Sequence, residues 1–298
     1  MSIISISGLG KRYGSVQALD NLDLVLESGE PIALIGPNGA GKTTLLSLLC
    51  GYIKPSSGSA LILGHVPGSR ALSGRLAALP QDAHLDPRFS VGRQLSLFAK
   101  LQGLSSAESE REVERVLQIV LLGDVKNKKP GELSHGMRKR VSLAQTLIGK
   151  PELILLDEPT AGIDPPNVKI IRDFIREESA NTTFVISSHN LDELEKLCTS
   201  VVYLSEGKLM EAGPLNSSSD DGFITVRLMA VPEEHFIREC QKITGVLNVA
   251  RQAQGDYLIT QTEGHAVDQA LLLMLAKNGW EYRHLVRGRS LEERLYGQ

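Results

Sequence analysis

Gly36-Pro37-Asn38-Gly39-Ala40-Gly41-Lys42-Thr43 is the stretch on which the reading of this chain turns. It fits the pattern G-x-x-x-x-G-K-S/T, follows a short apolar run at residues 31–35 and opens a helical pattern over 42–50. A strand, a glycine-rich turn and then a helix is the context in which that pattern cradles phosphate. Glycines let successive backbone N–H groups turn inward, and the N-terminus of the following helix adds positive potential. Lys42 is placed to neutralise the β- and γ-phosphates of a nucleoside triphosphate, and the Thr43 hydroxyl to ligate Mg²⁺. Thr44, next in the same turn, completes the expected phosphate-binding set.

Working outward, continuous apolar runs at 153–156, 183–188 and 201–204 have the length and content of strands covered on both faces. Strands alternating with helical patterns predict a mostly parallel α/β sheet. Between about 82 and 149 the character changes. Helical spacing appears over 92–101, 106–121 and 137–148, and Gly149 and Pro151 stand where a helix should stop. This predicts a helical insert within the α/β framework.

Two further segments carry chemistry. Leu153-Ile-Leu-Leu-Asp157-Glu158 ends a buried strand in two acids, which places them in the crevice where α/β sheets bind ligands. Asp157 would help hold Mg²⁺ through its water shell. Glu158, leaving the strand in another direction, would orient the attacking water or accept its proton. Leu133-Ser134-His135-Gly136-Met137 opens a basic helix, with Ser134 suited to the N-cap and Gly136 to a close backbone approach.

Composition excludes several classes. The 298 residues carry a formal net charge of −3, which does not suggest a nucleic-acid binder. Three scattered cysteines, Cys50, Cys198 and Cys240, make neither a metal spacing nor a disulfide framework and suit a reducing compartment. The N-terminus lacks a signal-peptide pattern, and the longest apolar run, 270–276, is far short of the ~20 residues a span needs. Work at a membrane would require docking on something else.

Taken together, these motifs resemble the ABC family of nucleotide-binding subunits, and they occur in that family's order. An aromatic residue before the first strands (Tyr13) precedes the Walker A loop (36–43) and a glutamine ending a strand (Gln81). The signature (133–137), Walker B (153–158), a following loop (161–164) and His189 complete the set. The resemblance covers roughly residues 1–214. It implies an ATPase with ATP and Mg²⁺ as ligands, Mg²⁺ being held by Thr43, Gln81 and Asp157. Tyr13 would stack on adenine, Gln81 would sense the γ-phosphate, and His189 would hold Glu158 and water. Glu158, His189 and Gln81 would form the catalytic set.

The resemblance also implies pairing. Two copies would dock head to tail, so that Ser134 and Gly136 face ATP held by the other copy, with Asp164 at the seam. A membrane-embedded transporter subunit would be the other partner, no nucleic acid would be involved, and the protein would lie peripherally on the cytoplasmic face of the cell membrane. The sequence departs from the commonest signature at His135 and Met137, and from the commonest following loop with Ala-Gly-Ile-Asp164, yet keeps the serine and second glycine. The rival reading, a soluble ABC ATPase acting on nucleic acid or ribosomes, calls for paired motor domains, a coiled coil or zinc cysteines. The sequence has one Walker A loop, no heptad array and no cysteine cluster.

After residue 215 the pattern changes again. A polar Asn-Ser-Ser-Ser-Asp-Asp-Gly linker (216–222) leads into strand 223–228, helix 233–242, strands 246–251 and 257–261, helix 266–277, strand 280–286 and a short terminal helix. The order βαββαβ predicts a ferredoxin-like α+β domain over 223–298. With its ending in Ser290-Leu-Glu-Glu, it resembles the extension on bacterial exporter ATPases whose membrane subunit is a separate polypeptide. The expected fold is therefore an α/β P-loop NTPase of ABC type over 1–215, carrying a helical subdomain and followed by that accessory domain. His235, His265 and His284 show no metal spacing.

Overall fold

A computed structural model describes residues 2–215, 222–229, 231–252, 255–262 and 266–289. Most of the 216–222 linker, His265, Ser290-Leu-Glu-Glu and the expected terminal helix lie outside the described residues. The chain divides into two compact units, Met1–Pro214 and Leu215–Gln298.

The first unit is built on two sheets. β1 (Ser2–Tyr13), β2 (Val16–Glu27) and β4 (Ser57–Ile62) form an antiparallel sheet in the order β2-β1-β4. The second has the order β5-β6-β7-β3-β8-β9, from Leu76–Leu79, Leu153–Asp157, Thr183–Ser187, Ile32–Ile35, Ser200–Ser205 and Lys208–Pro214. Its first five strands run parallel, and β9 closes one edge antiparallel to β8. Every residue of β3, β6 and β7 is buried, which is why these strands read as unbroken apolar runs.

Helix α1 (Lys42–Leu49) lies between the sheets. Its Leu45, Leu46, Leu48 and Leu49 share one core with Ile4, Leu22 and Ile62 of the antiparallel sheet and with Leu153, Leu155 and Val202 of the parallel one. A helix apolar on several sides belongs in such a sandwiched position. The phosphate loop at its N-terminus is thereby anchored from two directions.

The helical insert follows β5. α2 (Val91–Leu101), α3 (Ser106–Ile119) and α4 (His135–Thr146) bury Val91, Leu95, Val113, Val116, Leu117 and Val141. α3 begins with a reciprocal capping box: Glu108 N–H donates to Ser105 Oγ, and Ser105 N–H donates to Glu108 Oε2 at 2.8 Å. α4 is capped by Ser134, whose Oγ accepts from Met137 N–H at 3.2 Å. Two elements absent from the motif reading, α5 (Pro165–Glu178) and α6 (Leu191–Leu197), flank β7 in the chain.

In the second unit β10 (Phe223–Leu228), β11 (Val246–Arg251), β12 (Asp256–Gln261) and β13 (Tyr282–Arg287) form an antiparallel sheet in the order β11-β12-β10-β13. α7 (Glu233–Cys240) and α8 (Val267–Asn278) complete a βαββαβ succession. Phe236 and Leu271 are fully buried in its core with Ile224, Val226 and Ile259. Phe236 meets Tyr257 with ring centroids 4.7 Å apart. Gly279, in the left-handed conformation, ends α8.

Candidate functional site

The loop from Gly36 to Gly41 is fixed by what surrounds its glycines. Gly36 adopts φ 150° and Gly41 φ 103°. A methyl group on Gly36 would stand 2.2 Å from the Leu204 carbonyl oxygen, and one on Gly41 would stand 2.5 Å from Leu19 Cδ2. Both positions need glycine for backbone angle and space alike. Gly39, at φ 81°, has nothing near an added Cβ, so its requirement is conformational only. Ala40 N–H closes the turn on the Pro37 carbonyl at 3.1 Å. Lys42 folds back over the loop, its Nζ donating to the carbonyls of Gly36 at 2.7 Å and Pro37 at 3.2 Å.

Facing this loop are the ends of β6 and β7. Thr43 Oγ1 donates to Asp157 Oδ2 at 2.9 Å, joining α1 to β6. Ser187 donates through Oγ to Asp157 Oδ1, and Ser187 Oγ also accepts from Glu158 N–H at 3.1 Å. Glu158 itself adopts φ 49°. A left-handed conformation is costly for a side chain of this kind and persists only where neighbours enforce it. Here the Ser187 carbonyl also receives the Glu158 N–H at 3.1 Å. The turn aims the Glu158 carboxylate at His189, whose Nδ1 lies 2.9 Å from Glu158 Oε2. With its proton on Nδ1 the imidazole donates to that oxygen. The Glu158 side chain is largely covered, while that of His189 is 71% exposed, so the pair runs from the interior to the mouth of the site.

The structure thus gathers Lys42, Thr43, Asp157, Glu158 and His189 at the C-terminal ends of parallel strands, where open α/β sheets bind ligands. Gln81 stands exposed in the turn after β5, the strand paired with β6, at the same sheet end. Tyr13 corrects one expectation. It is the last residue of β1, opposite Val16, rather than a residue ahead of the strands. Its ring is half exposed at the tip of that hairpin, with Lys11 Nζ 5.1 Å from the centroid. Among the described residues Tyr13, Gln81, Ser134 and Gly136 make no hydrogen bond to the Lys42–Asp157–Glu158 group.

Ser187 was missed from sequence. Its signal was a hydroxyl ending the strand beside β6, two residues before His189. Lys139 was also passed over as part of a basic run. Arg138 and Arg140 each donate a guanidinium N–H to a backbone carbonyl, of Leu133 at 2.6 Å and of Val120 at 2.8 Å. Burial pulls the Lys139 ammonium below its usual range, opposed by the carboxylates of Asp157, Glu158 and Asp82. The thiols contribute no chemistry at this site: burial pushes Cys50, Cys198 and Cys240 each up to about 12, which keeps them protonated.

A family profile described as "ABC transporter" matches residues 19–161. A Nod factor export ATP-binding protein I from Cupriavidus metallidurans is 36% identical over 215 residues, 71% of each chain. The chain belongs to the ABC transporter family of ATP-binding proteins. The uncharacterized ABC transporter ATP-binding protein YhaQ from Bacillus subtilis is 29% identical over 279 residues, spanning 93% of this chain and 92% of that one. Among solved structures, the ATP-binding subunit of an ABC transporter superposes with a TM-score of 0.66 at 29% identity, over 72% of this chain and 90% of that one. This ABC ATPase accordingly binds ATP, is a transporter's ATP-binding subunit, and has the P-loop cassette fold of the family.

Proposed function

We propose that this subunit powers export by hydrolysing Mg²⁺-ATP between two of its own copies, docked on a separate membrane-embedded subunit at the cytoplasmic face of the membrane. No described helix is long and apolar enough to cross a membrane, so the translocation pathway is assigned to that partner. The relatives named for Nod factor export support the outward direction. The observation that carries the catalytic reading is the enforced left-handed turn at Glu158, which holds its carboxylate against His189 one residue beyond the Asp157–Thr43 hydrogen bond.

That geometry supports a role for each residue. The inward N–H groups of 36–41 and the N-terminus of α1 receive the phosphates. Lys42 releases its two carbonyl partners to meet them. The donor set of Thr43 hydroxyl, Asp157 carboxylate and Gln81 amide consists of hard oxygens, which suits Mg²⁺. Held by these residues, that ion would supply neutralisation of the phosphate charge. Glu158 orients the attacking water and takes its proton, and His189 holds the carboxylate in place while reaching the γ-phosphate from the exposed side. Tyr13 offers its exposed face to adenine. Ser134 and Gly136 serve the ATP of the second copy, as a capped helix N-terminus suits a terminal phosphate. Nucleic acid plays no part in the cycle.

Glu158→Gln tests the assignment. Turnover should fall by at least about 10²-fold while ATP is retained and a closed pair accumulates on size-exclusion chromatography. Turnover near the wild-type value would overturn it.

A further inference from the structure

The glycine at position 136 has a second explanation inside its own chain. A methyl group there would stand 2.8 Å from Asn167 Nδ2 and 2.9 Å from Asn167 Cγ, while Asn167 Cβ would be 3.4 Å away. Only the amide end of Asn167 clashes. That amide is already committed: Asn167 Nδ2 donates to Asp164 Oδ1 at 2.7 Å. Asp164 is the N-cap position of α5, ahead of Pro165, yet its carboxylate does not cap the helix backbone and is left to accept from Asn167.

The segment leading to Asp164 is short and tightly turned. It leaves Glu158 at φ 49°, Ala161 N–H returns to the Glu158 carbonyl at 3.4 Å, and Ile163 N–H returns to Thr160 at 3.2 Å. Beside it, the ring nitrogen Nε2 of His135 stands 3.7 Å from where a methyl on Gly162 would be. The signature therefore lies close to the segment after Glu158 at two places: the His135 ring near Gly162, and Gly136 beside the Asn167 side chain that is hydrogen-bonded to Asp164.

We infer that Asn167 is a positioning residue: it latches the signature backbone at Gly136 to Asp164, so that displacement of the signature is carried into the loop that leaves Glu158. This rests on the proposal that the signature meets ATP held by a second copy. Under it, arrival of that phosphate at Ser134 and Gly136 presses on Asn167 from one side, and Asp164 answers on the other. A Cβ at 136 would push on the Asn167 amide, which could yield only by disturbing its hydrogen bond to Asp164.

The test is a double-mutant cycle on the full-length protein. Gly136→Ala should lower kcat for ATP about tenfold, and Asn167→Ala about threefold. KM should stay within about twofold in both, since neither residue touches the chain's own phosphate loop. Gly136→Ala/Asn167→Ala should be no slower than about the Asn167→Ala protein, because removing the amide makes room for the methyl. A double variant whose loss is the product of the two singles would overturn the latch. Should Gly136→Ala lose its thermal unfolding transition, Asp164→Ala/Asn167→Ala gives the same reading: a loss no greater than that of the worse single supports the latch, and a multiplied loss overturns it. ATP-driven pairing is measured separately in a Glu158→Gln background. Its absence in the otherwise unaltered chain would refute the paired-site proposal, whereas additive losses with pairing intact would refute the latch alone.

Discussion

The Walker side of this cassette and its signature side differ in how much of their chemistry they contain. On the Walker side, polar groups from α1, β6 and β7 are hydrogen-bonded to one another before any ligand arrives: Thr43 to Asp157, Ser187 to Asp157 and Glu158, Glu158 to His189. Asp157 and Glu158 are both buried. On the signature side, Ser134 is exposed and its hydroxyl caps its own helix, while Gly136 is buried and an added Cβ there would meet Asn167 first. One face carries bond-making groups held in place by their neighbours. The other is a helix N-terminus capped by its own serine, hydrogen-bonded to none of those groups. Under the paired-site proposal, the signature side supplies the half of a site that has no base, and the difference between the two sides is what that proposal explains.

The comparison breaks first at Lys42. Lys42→Ala should weaken ATP binding on the order of 10²-fold by removing the charge-assisted contact to the phosphates, and isothermal titration with ATP measures it. Unchanged affinity would mean that the Walker side does not hold the nucleotide. A smaller and differently distributed effect is expected across the molecule. Ser134→Arg should leave nucleotide affinity within about twofold yet lower turnover at least about tenfold, because the bulk and charge prevent closure rather than binding. Equal losses of affinity in both variants would erase the distinction between the two sides.

How much of this was legible in the sequence follows from the chemistry. Phosphate binding by backbone demands glycines at fixed spacing beside a lysine and a hydroxyl, so 36–44 announces itself in one contiguous run. A buried parallel strand ending in two acids does the same at 153–158. The succession of strands and helices in the second unit was readable from its apolar alternation, and the order of its strands in the sheet follows from pairing across the chain. What was hidden depends on neighbours distant in sequence. Ser187 acts on Asp157 from 30 residues away, and its one local mark is a hydroxyl at a strand end two residues before His189. Asn167 matters through Gly136, on a different helix, and in sequence it is one more polar residue after two prolines. Tyr13 ends β1 and does not stand ahead of the strands, a placement that depends on its pairing with Val16 across the hairpin. Gly14, at φ 57°, lies in the turn between β1 and β2.

The central claim is that a working site takes its Walker side from one copy and its signature from another. Mixing the Lys42→Ala and Ser134→Arg proteins tests it most directly. Each alone should be nearly inactive, because every site in a uniform pair is spoiled. In an equal mixture, mixed pairs join an intact Walker side to an intact signature at one of their two sites, so ATPase activity should recover to about a quarter of the wild-type rate. A mixture no more active than the sum of its two components would contradict the account.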